Sequence, residues 1–318
     1  MPPPAMTMRI LDLRQVSSVQ IDGLLREEAR HWREELHWDY GTAVDLIKRF
    51  LDARALAGCA AFENGELAGY SFYVVEEHKG LVGGLFVSPR YPQEEIGQRL
   101  LEDVLQSMRA IPQLLRIETQ LMPFGGPVER TLRSHHFRLY RRQFMLLNLD
   151  GCSARIAAPE RRACLPERWS DRFLEPCARL IHQAYAAHVD GEINDQYRSR
   201  SGALRFLKNI ILLPDCGQFL PRASFVLREE DSEELLGVVL NSEVAPGVGH
   251  TTQICVLPGH QKQGLGRCLM QASIQSLCAM KFHEATLTVT SSNERAARLY
   301  ESLGYRILKT FTAGVWPG

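Results

Sequence analysis

Apolar residues recur at helical spacing over Val16–Leu36 and Thr42–Ala55, and the pattern then changes to the runs and alternation of strands. Strands are predicted over Gly58–Glu63, Leu67–Glu76 and Leu81–Val87, with Asn64-Gly65 supplying a tight hairpin turn between the first two. A helix follows over Gln93–Arg109, then a strand over Leu114–Leu121, a helix over Pro127–Ser134 and a strand over Tyr140–Leu149. The second half repeats the order. Helical spacing marks Asp171–His188 and Ala203–Ile211; strands are predicted over Ser224–Arg228, Leu235–Ser242 and Thr251–Val256. A long helix over Gly264–Met280, a strand over Ala285–Thr290, a helix over Glu294–Leu303 and one or two strands within Arg306–Val315 complete it.

This recurrence predicts a duplicated α/β (α+β) unit of roughly 150 residues, divided as 1–150 and 151–318, with the Gly-, Ala- and Pro-containing stretch 150–166 as linker. The length of 318 residues and a hydrophobic fraction of 45% support two ordinary globular cores. Lys plus Arg and Asp plus Glu balance at 37 each, so no long-range field favours nucleic acid. No stretch of about 18 residues is continuously apolar, so no membrane span is expected. The eight cysteines form no C-x-x-C pair and have no histidine pair at ligand spacing; they read as reduced thiols of a cytoplasmic protein without a metal.

The most informative run is Val256-Leu-Pro-Gly-His-Gln261-Lys262-Gln263-Gly264-Leu265-Gly266, followed by Arg267 and an apolar helix. Glycines at a strand-to-helix junction let the chain turn tightly and aim several N–H groups at one point, to which the helix start adds its positive dipole end. That arrangement suits a phosphate or pyrophosphate. A second motif lies about thirty residues on, after the strand Ala285–Thr290: Asn293-x-x-Ala296-x-x-Leu299-Tyr300-x-x-x-Gly304-Tyr305. A dinucleotide fingerprint is not completed, because Leu269 holds the place of its last glycine.

Together the two motifs resemble those of the GNAT acetyltransferase superfamily over residues 160–316, and the whole layout is similar to tandem proteins of that family. The resemblance implies two tandem acyl-CoA N-acyltransferase domains, each a mixed, largely antiparallel sheet flanked by helices. It implies acetyl-CoA as co-substrate, with the amides of Lys262, Gln263, Gly264, Leu265, Gly266 and Arg267 on its pyrophosphate beside Gln261, and main chain near Ile254, Cys255 and Val256 on the thioester carbonyl. Asn293, with Ala296 behind it, faces the pantetheine arm, and Tyr300 is the general acid toward the departing thiolate. The fourth strand of the second half lacks the family's acidic residue, having Thr252 and Gln253, which leaves Glu243, His250 or a water chain as the base. Cys255 reads as core rather than nucleophile. The loop from His188 through Asp190 and Glu192 to Tyr197 is expected to border the acceptor groove.

In the first half, laying Val87–Gly97 on Val256–Gly266 puts Pro92 at Gln261 and Glu95 at Gly264, with Glu94 beside it. Carboxylates there repel a pyrophosphate, so this half is expected to be a degenerate, non-catalytic domain. The expected activity is transfer of acetyl to a primary amine, on a small molecule or a peptide, by direct attack in a ternary complex within a monomer or homodimer. The alternative is a non-catalytic acyl-CoA sensor.

Overall fold

The computed structural model describes residues 8–122, 126–151, 165–213, 217–229 and 234–318. Most of the expected linker, residues 152–164, lies outside them, as do Cys152, Cys164 and Cys216. The chain forms two compact units, one of residues 1–142 with 310–318 and one of residues 143–309. These units do not coincide with a cut at residue 150, because residues 310–318 belong with the first unit and residues 143–150 with the second.

In the first unit, β1 (Met8–Asp12) precedes α1 (Ser18–Leu36) and α2 (Gly41–Asp52). Helix α1 starts at a capping box, in which Ser17 and Gln20 satisfy each other's backbone N–H. Strands β2 (Ala57–Glu63), β3 (Glu66–Glu76) and β4 (Lys79–Val87) form an antiparallel meander. The Asn64-Gly65 turn has both residues at positive φ, 51° and 88°, as the twist of a two-residue hairpin requires. Helix α3 (Gln93–Arg109) leads to β5 (Arg116–Gln120), parallel to β4, and then to α4 (Gly126–Ser134) and β6 (Arg138–Asn148). The sheet order within this unit is β1-β2-β3-β4-β5, continued by the end of the last strand, β13 (Arg306–Pro317), whose Ala313–Pro317 pair antiparallel with β5. Apolar residues of α1 and α2 fill one face around Ile21, Leu25 and Tyr70; those of α3 and α4 fill the other around Leu100, Leu105 and Leu132.

The second unit repeats this three-layer plan. Strand β7 (Glu167–Arg168) precedes α5 (Leu174–Tyr185), the short α6 (Val189–Ile193) and α7 (Arg200–Leu212). Strands β8 (Gln218–Phe219) and β9 (Phe225–Arg228) lead to the long hairpin of β10 (Leu235–Ala245) and β11 (Val248–Val256). Helix α8 (Leu265–Ala279), β12 (Glu284–Thr290) and α9 (Glu294–Ser302) come next. The sheet order is β7-β9-β10-β11-β12-β6, with β8 also on β10. Helices α5 and α7 cover one face through Cys177, Ile181 and Leu207; α8 and α9 cover the other through Leu269, Ile274 and Tyr300. No helix among the described residues is long and apolar enough to cross a membrane.

Candidate active site at the open edge of β11

The site begins where a parallel strand pair ends. Strands β11 and β12 pair only over Val248–Thr251 with Glu284–Leu287. Beyond Thr251 the two strands part. On its other side β11 stays bonded to β10, with Val238 opposite Cys255 and the Leu257 N–H donating to the Leu236 carbonyl at 2.8 Å. In an antiparallel pair, alternate residues turn their backbone groups toward the partner. Residues 255 and 257 therefore face β10, and Ile254 and Val256 turn their N–H and C=O groups toward the side that β12 has left. The Cys255 amide is consequently spent inside the sheet. Its side chain packs in the α5 and α7 face, where burial pushes the thiol far up from its ordinary value.

The loop after β11 supplies the second part. Residues 257–264 connect to α8, with Lys262 at φ 66° and Gly264 at φ 84°. Gly264 is the N-cap of α8, and among the described residues no side chain caps that helix. The N–H groups of Leu265, Gly266 and Arg267 consequently end the helix without an internal partner, which makes a ready anion cradle. A side chain added at Gly264 meets no atom within 4 Å, so the glycine serves its left-handed backbone rather than tight packing. Gln261 braces the loop: its Nε2 donates to the Val256 carbonyl at 3.2 Å and its Oε1 accepts from Arg295 on α9 at 3.0 Å. Arg267 is tied to Ser302 at 2.5 Å, whereas Lys262 and Gln263 are exposed.

Across the gap stands α9. Asn293 is its N-cap, accepting from the Ala296 N–H at 3.3 Å through Oδ1. Its Nδ2 lies 3.1 Å from His188 Nε2. Asp190 sits beside the same ring, 3.6 Å from Nδ1, and accepts a short hydrogen bond from the Thr290 hydroxyl at the end of β12. Tyr185, from the last turn of α5, donates to the Ile254 carbonyl at 3.1 Å and stacks on Tyr197. Tyr300 is buried, at 6% exposure. Burial first, then the Asp190 carboxylate, pushes its phenol up from the ordinary value, so it stays a proton donor.

The structure thus brings Ile254, Val256, Gly264, Leu265, Gly266, Arg267, Asn293, Ala296 and Tyr300 to one gap. It does not bring the two expected bases there. Glu243 pairs with Gly249 at the opposite end of the hairpin and accepts from the Gly247 N–H at 2.9 Å, where it closes the β10–β11 turn. His250 lies in the closed part of the sheet, opposite Thr286, with Nδ1 2.9 Å from the threonine hydroxyl and its ring stacked on Phe144. Both carry turn and core contacts, which is why a base role does not fit them. Gln253, on the strand position expected for an acid, is buried at 4% exposure; its Oε1 accepts from Tyr197 at 3.4 Å and its Nε2 has no partner among the described residues. Tyr185 and Thr290 were not singled out from the sequence. The aromatic and polar run Tyr185, His188, Asp190 and Tyr197 is the signal that points to them.

Open gap, anion-binding turn and tyrosine on one face of a mixed sheet are the features of an acyl-CoA transferase fold. The sequence model of the acetyltransferase (GNAT) family matches residues 20–122 and 186–305, and the chain belongs to that family. The mycothiol acetyltransferase of Acidimicrobium ferrooxidans is 33% identical over 290 residues, covering 86% of each chain. That of Kocuria rhizophila is 36% identical over 93 residues, covering 27% of this chain and 31% of the relative. Among solved structures, a GCN5-related N-acetyltransferase from Sphaerobacter thermophilus aligns with a TM-score of 0.67 at 17% identity over 99% of this chain and 96% of its own. A tandem GNAT protein from the clavulanic acid biosynthesis pathway aligns equally well, TM-score 0.67 at 13% identity over 98% of both chains. These two likenesses establish the tandem fold.

Proposed function

We propose that the protein is an acetyl-CoA-dependent N-acetyltransferase whose second unit carries the reaction. One observation carries this reading: an uncapped helix start, reached through two left-handed residues, opens beside a strand edge released from its partner, with a neutral phenol across the gap. The fit to acetyl-CoA rests on that chemistry. The amides of Leu265, Gly266 and Arg267 hold the pyrophosphate, with Lys262 and Arg267 at its rim. The Ile254 and Val256 N–H groups receive the pantetheine arm and the thioester carbonyl, where they stabilise the developing oxyanion. Asn293 stands beside the arm. The co-substrate supplies an activated acetyl group. Tyr300 gives its proton to the sulfur that leaves. Direct attack by the acceptor in a ternary complex needs no nucleophile from the chain, and the buried, hard-to-ionise Cys255 does not supply one.

The acceptor reading is a primary amine. A balanced net charge favours a small molecule or a peptide over nucleic acid or a membrane surface. Relatives named mycothiol acetyltransferase favour a small thiol-bearing acceptor among these. We place the reaction in the cytoplasm, in a monomer or homodimer. Calorimetry with acetyl-CoA tests the reading and is expected to give one site per chain. Thiol release across small amines, amino sugars, cysteinyl compounds and peptide N-termini identifies the acceptor. Two equivalent sites, or none, overturn the assignment of a single working unit. The sensor alternative is favoured by the missing acid at Thr252 and Gln253, and wins if acetyl-CoA binds while no amine elicits thiol release.

A further inference from the structure

We infer that Asp190 receives the acceptor: its carboxylate docks the ammonium form of the amine and takes one proton from it before attack. The inference rests on the acetyltransferase reading of the same site. The open strand β11 carries no carboxylate, and Glu243 and His250 are bound elsewhere. Asp190 reaches the gap from the other direction, on α6. Its Oδ1 accepts from the Thr290 hydroxyl at the end of β12, which fixes the group beside the parted strands. Its Oδ2 lies 3.6 Å from His188 Nδ1, too far for a hydrogen bond. That nitrogen already accepts the Asp190 N–H at 3.1 Å as the cap of α6, so it has no proton to offer the carboxylate. The arginines of the surrounding elements are engaged elsewhere: Arg198 with the Gly191 carbonyl at 3.0 Å, Arg295 with Gln261 at 3.0 Å and Arg298 with Glu294 at 3.0 Å. The negative charge is thereby left for a cationic ligand. With its side chain 16% exposed, Asp190 can touch a ligand while its charge acts through a weakly screened medium.

Placement agrees. After burial, the Asp190 carboxylate is the next cause that pushes the Tyr300 phenol up, and it adds to the same rise at Tyr185 behind burial, Tyr197 and Cys255. Tyr185 donates to the Ile254 carbonyl at the free strand edge. Asp190 is therefore within electrostatic reach of the phenol that protonates sulfur and of the tyrosine that marks the thioester's strand. The titratable groups around it are His188 at the cap of its own helix, Tyr185 from α5 and Tyr300 from α9; Thr290 of β12 is uncharged, and Glu192 on the same short helix is exposed. In a half-buried gap the neutral pair of amine and acid is favoured over the ion pair relative to water, which lets a carboxylate take the proton. The neutral nitrogen then attacks the thioester carbon, the C–N bond forms and the C–S bond breaks. Tyr300 gives its proton to sulfur and recovers one from the nitrogen of the adduct. Asp190 sheds its proton to solvent through its exposed edge. Ammonium and thioester thus become amide and thiol, with one proton released.

The test compares wild type, Asp190→Asn, Asp190→Glu and Thr290→Val, with the amine that releases thiol fastest in wild type as the probe. Asparagine can keep the Thr290 hydrogen bond and removes only the charge. Asp190→Asn is expected to lower kcat/KM for that amine by roughly 100- to 1,000-fold near neutral pH, with acetyl-CoA affinity by calorimetry unchanged. The defect should shrink to about 10-fold as pH approaches the amine's own pKa, because the amine then arrives neutral. A residue that merely clamped α6 to β12 would give a defect that pH does not change. Asp190→Glu should recover most of the rate, and Thr290→Val, which only frees the carboxylate, should lose roughly 10-fold. A wild-type kcat/KM in Asp190→Asn overturns the assignment. So does a pH-independent loss that Asp190→Glu does not repair, or loss of acetyl-CoA binding in both Asp190 variants. Each of these leaves the acetyltransferase reading standing, whereas failure of the wild type to release thiol with any amine removes both.

Discussion

The two units open their sheets in the same way and finish them differently. In the first unit β4 pairs with β5 over Lys79–Val82 and Arg116–Thr119; in the second β11 pairs with β12 over Val248–Thr251 and Glu284–Leu287. Each parallel ladder covers four residues and then parts, so the gap is a property of the fold. The connection from the parted strand to its helix is not shared. The second unit spends residues 257–264 on the loop and reaches its helix through a left-handed glycine. The first spends only residues 88–92 and reaches α3 through Pro92 at φ −63°. The shorter loop also corrects the ungapped alignment of the sequences: Pro92, not Glu95, occupies the cap corresponding to Gly264, and Glu95 is the third residue of α3. Glu94 and Glu95 still crowd the first turn, with Glu94 ion-paired to Arg130. The Phe72 ring lies against Gly83 and Gly84 so closely that a Cβ on either would collide with it. The two units therefore share the parted strands and differ in the helix cap that follows them.

The comparison can be broken most sharply at Tyr300. Tyr300→Phe is expected to lower kcat by roughly 100- to 10,000-fold with acetyl-CoA affinity unchanged in calorimetry, because only the proton donor is removed. Next is Gly264→Glu, which gives the second loop an acidic side chain on a left-handed residue. Acetyl-CoA affinity should fall by roughly 100-fold, from backbone strain and like-charge repulsion together; wild-type affinity would mean that α8 does not hold the diphosphate.

A smaller effect is expected in the first unit alone. Glu28 is buried there, held by the Tyr70 hydroxyl at 2.5 Å and facing Trp32, and burial raises its carboxyl to about 7. The folded state binds this proton more tightly than the unfolded chain, whose ordinary value is 4.5. The resulting stability is complete below about pH 4.5 and is lost as pH rises toward 7, on the order of 3 kcal/mol in all. Glu28→Gln should flatten that part of the melting-temperature profile; an unchanged slope would assign it to other groups. The smallest effect is none: Glu94→Gln with Glu95→Gln should leave calorimetry at one acetyl-CoA per chain, since neutral side chains do not restore the left-handed cap.

Much of this was legible in the chain. Helix α3 lies where periodicity puts it, Gln93–Arg109, and the Asn64-Gly65 turn has the dihedrals its residues favour. The glycine loop and the Asn293–Tyr300 segment lie at the gap because short motifs fix local backbone. The parts that were not legible depended on register and on distance. Glu243 and His250 are near the loop in sequence terms, yet only the hairpin register reveals that one closes the far turn and the other faces Thr286. The short β1 and the five-residue α6 leave too little pattern to be seen. The His188 and Asn293 side chains, 105 positions apart, meet only because α5 and α9 flank the same strand edge.

The end of β13 carries a consequence for how this chain is made. Ala313–Pro317 pair with β5, whose neighbours on the other side, β4 to β1, lie within the first 87 residues. During synthesis β5 must wait at a bare edge until residues 310–318 emerge, so the amino-terminal unit cannot close ahead of the rest in the usual vectorial order. Emergence of that distant strand from the ribosome, rather than completion of the first half, is the event that finishes the first unit.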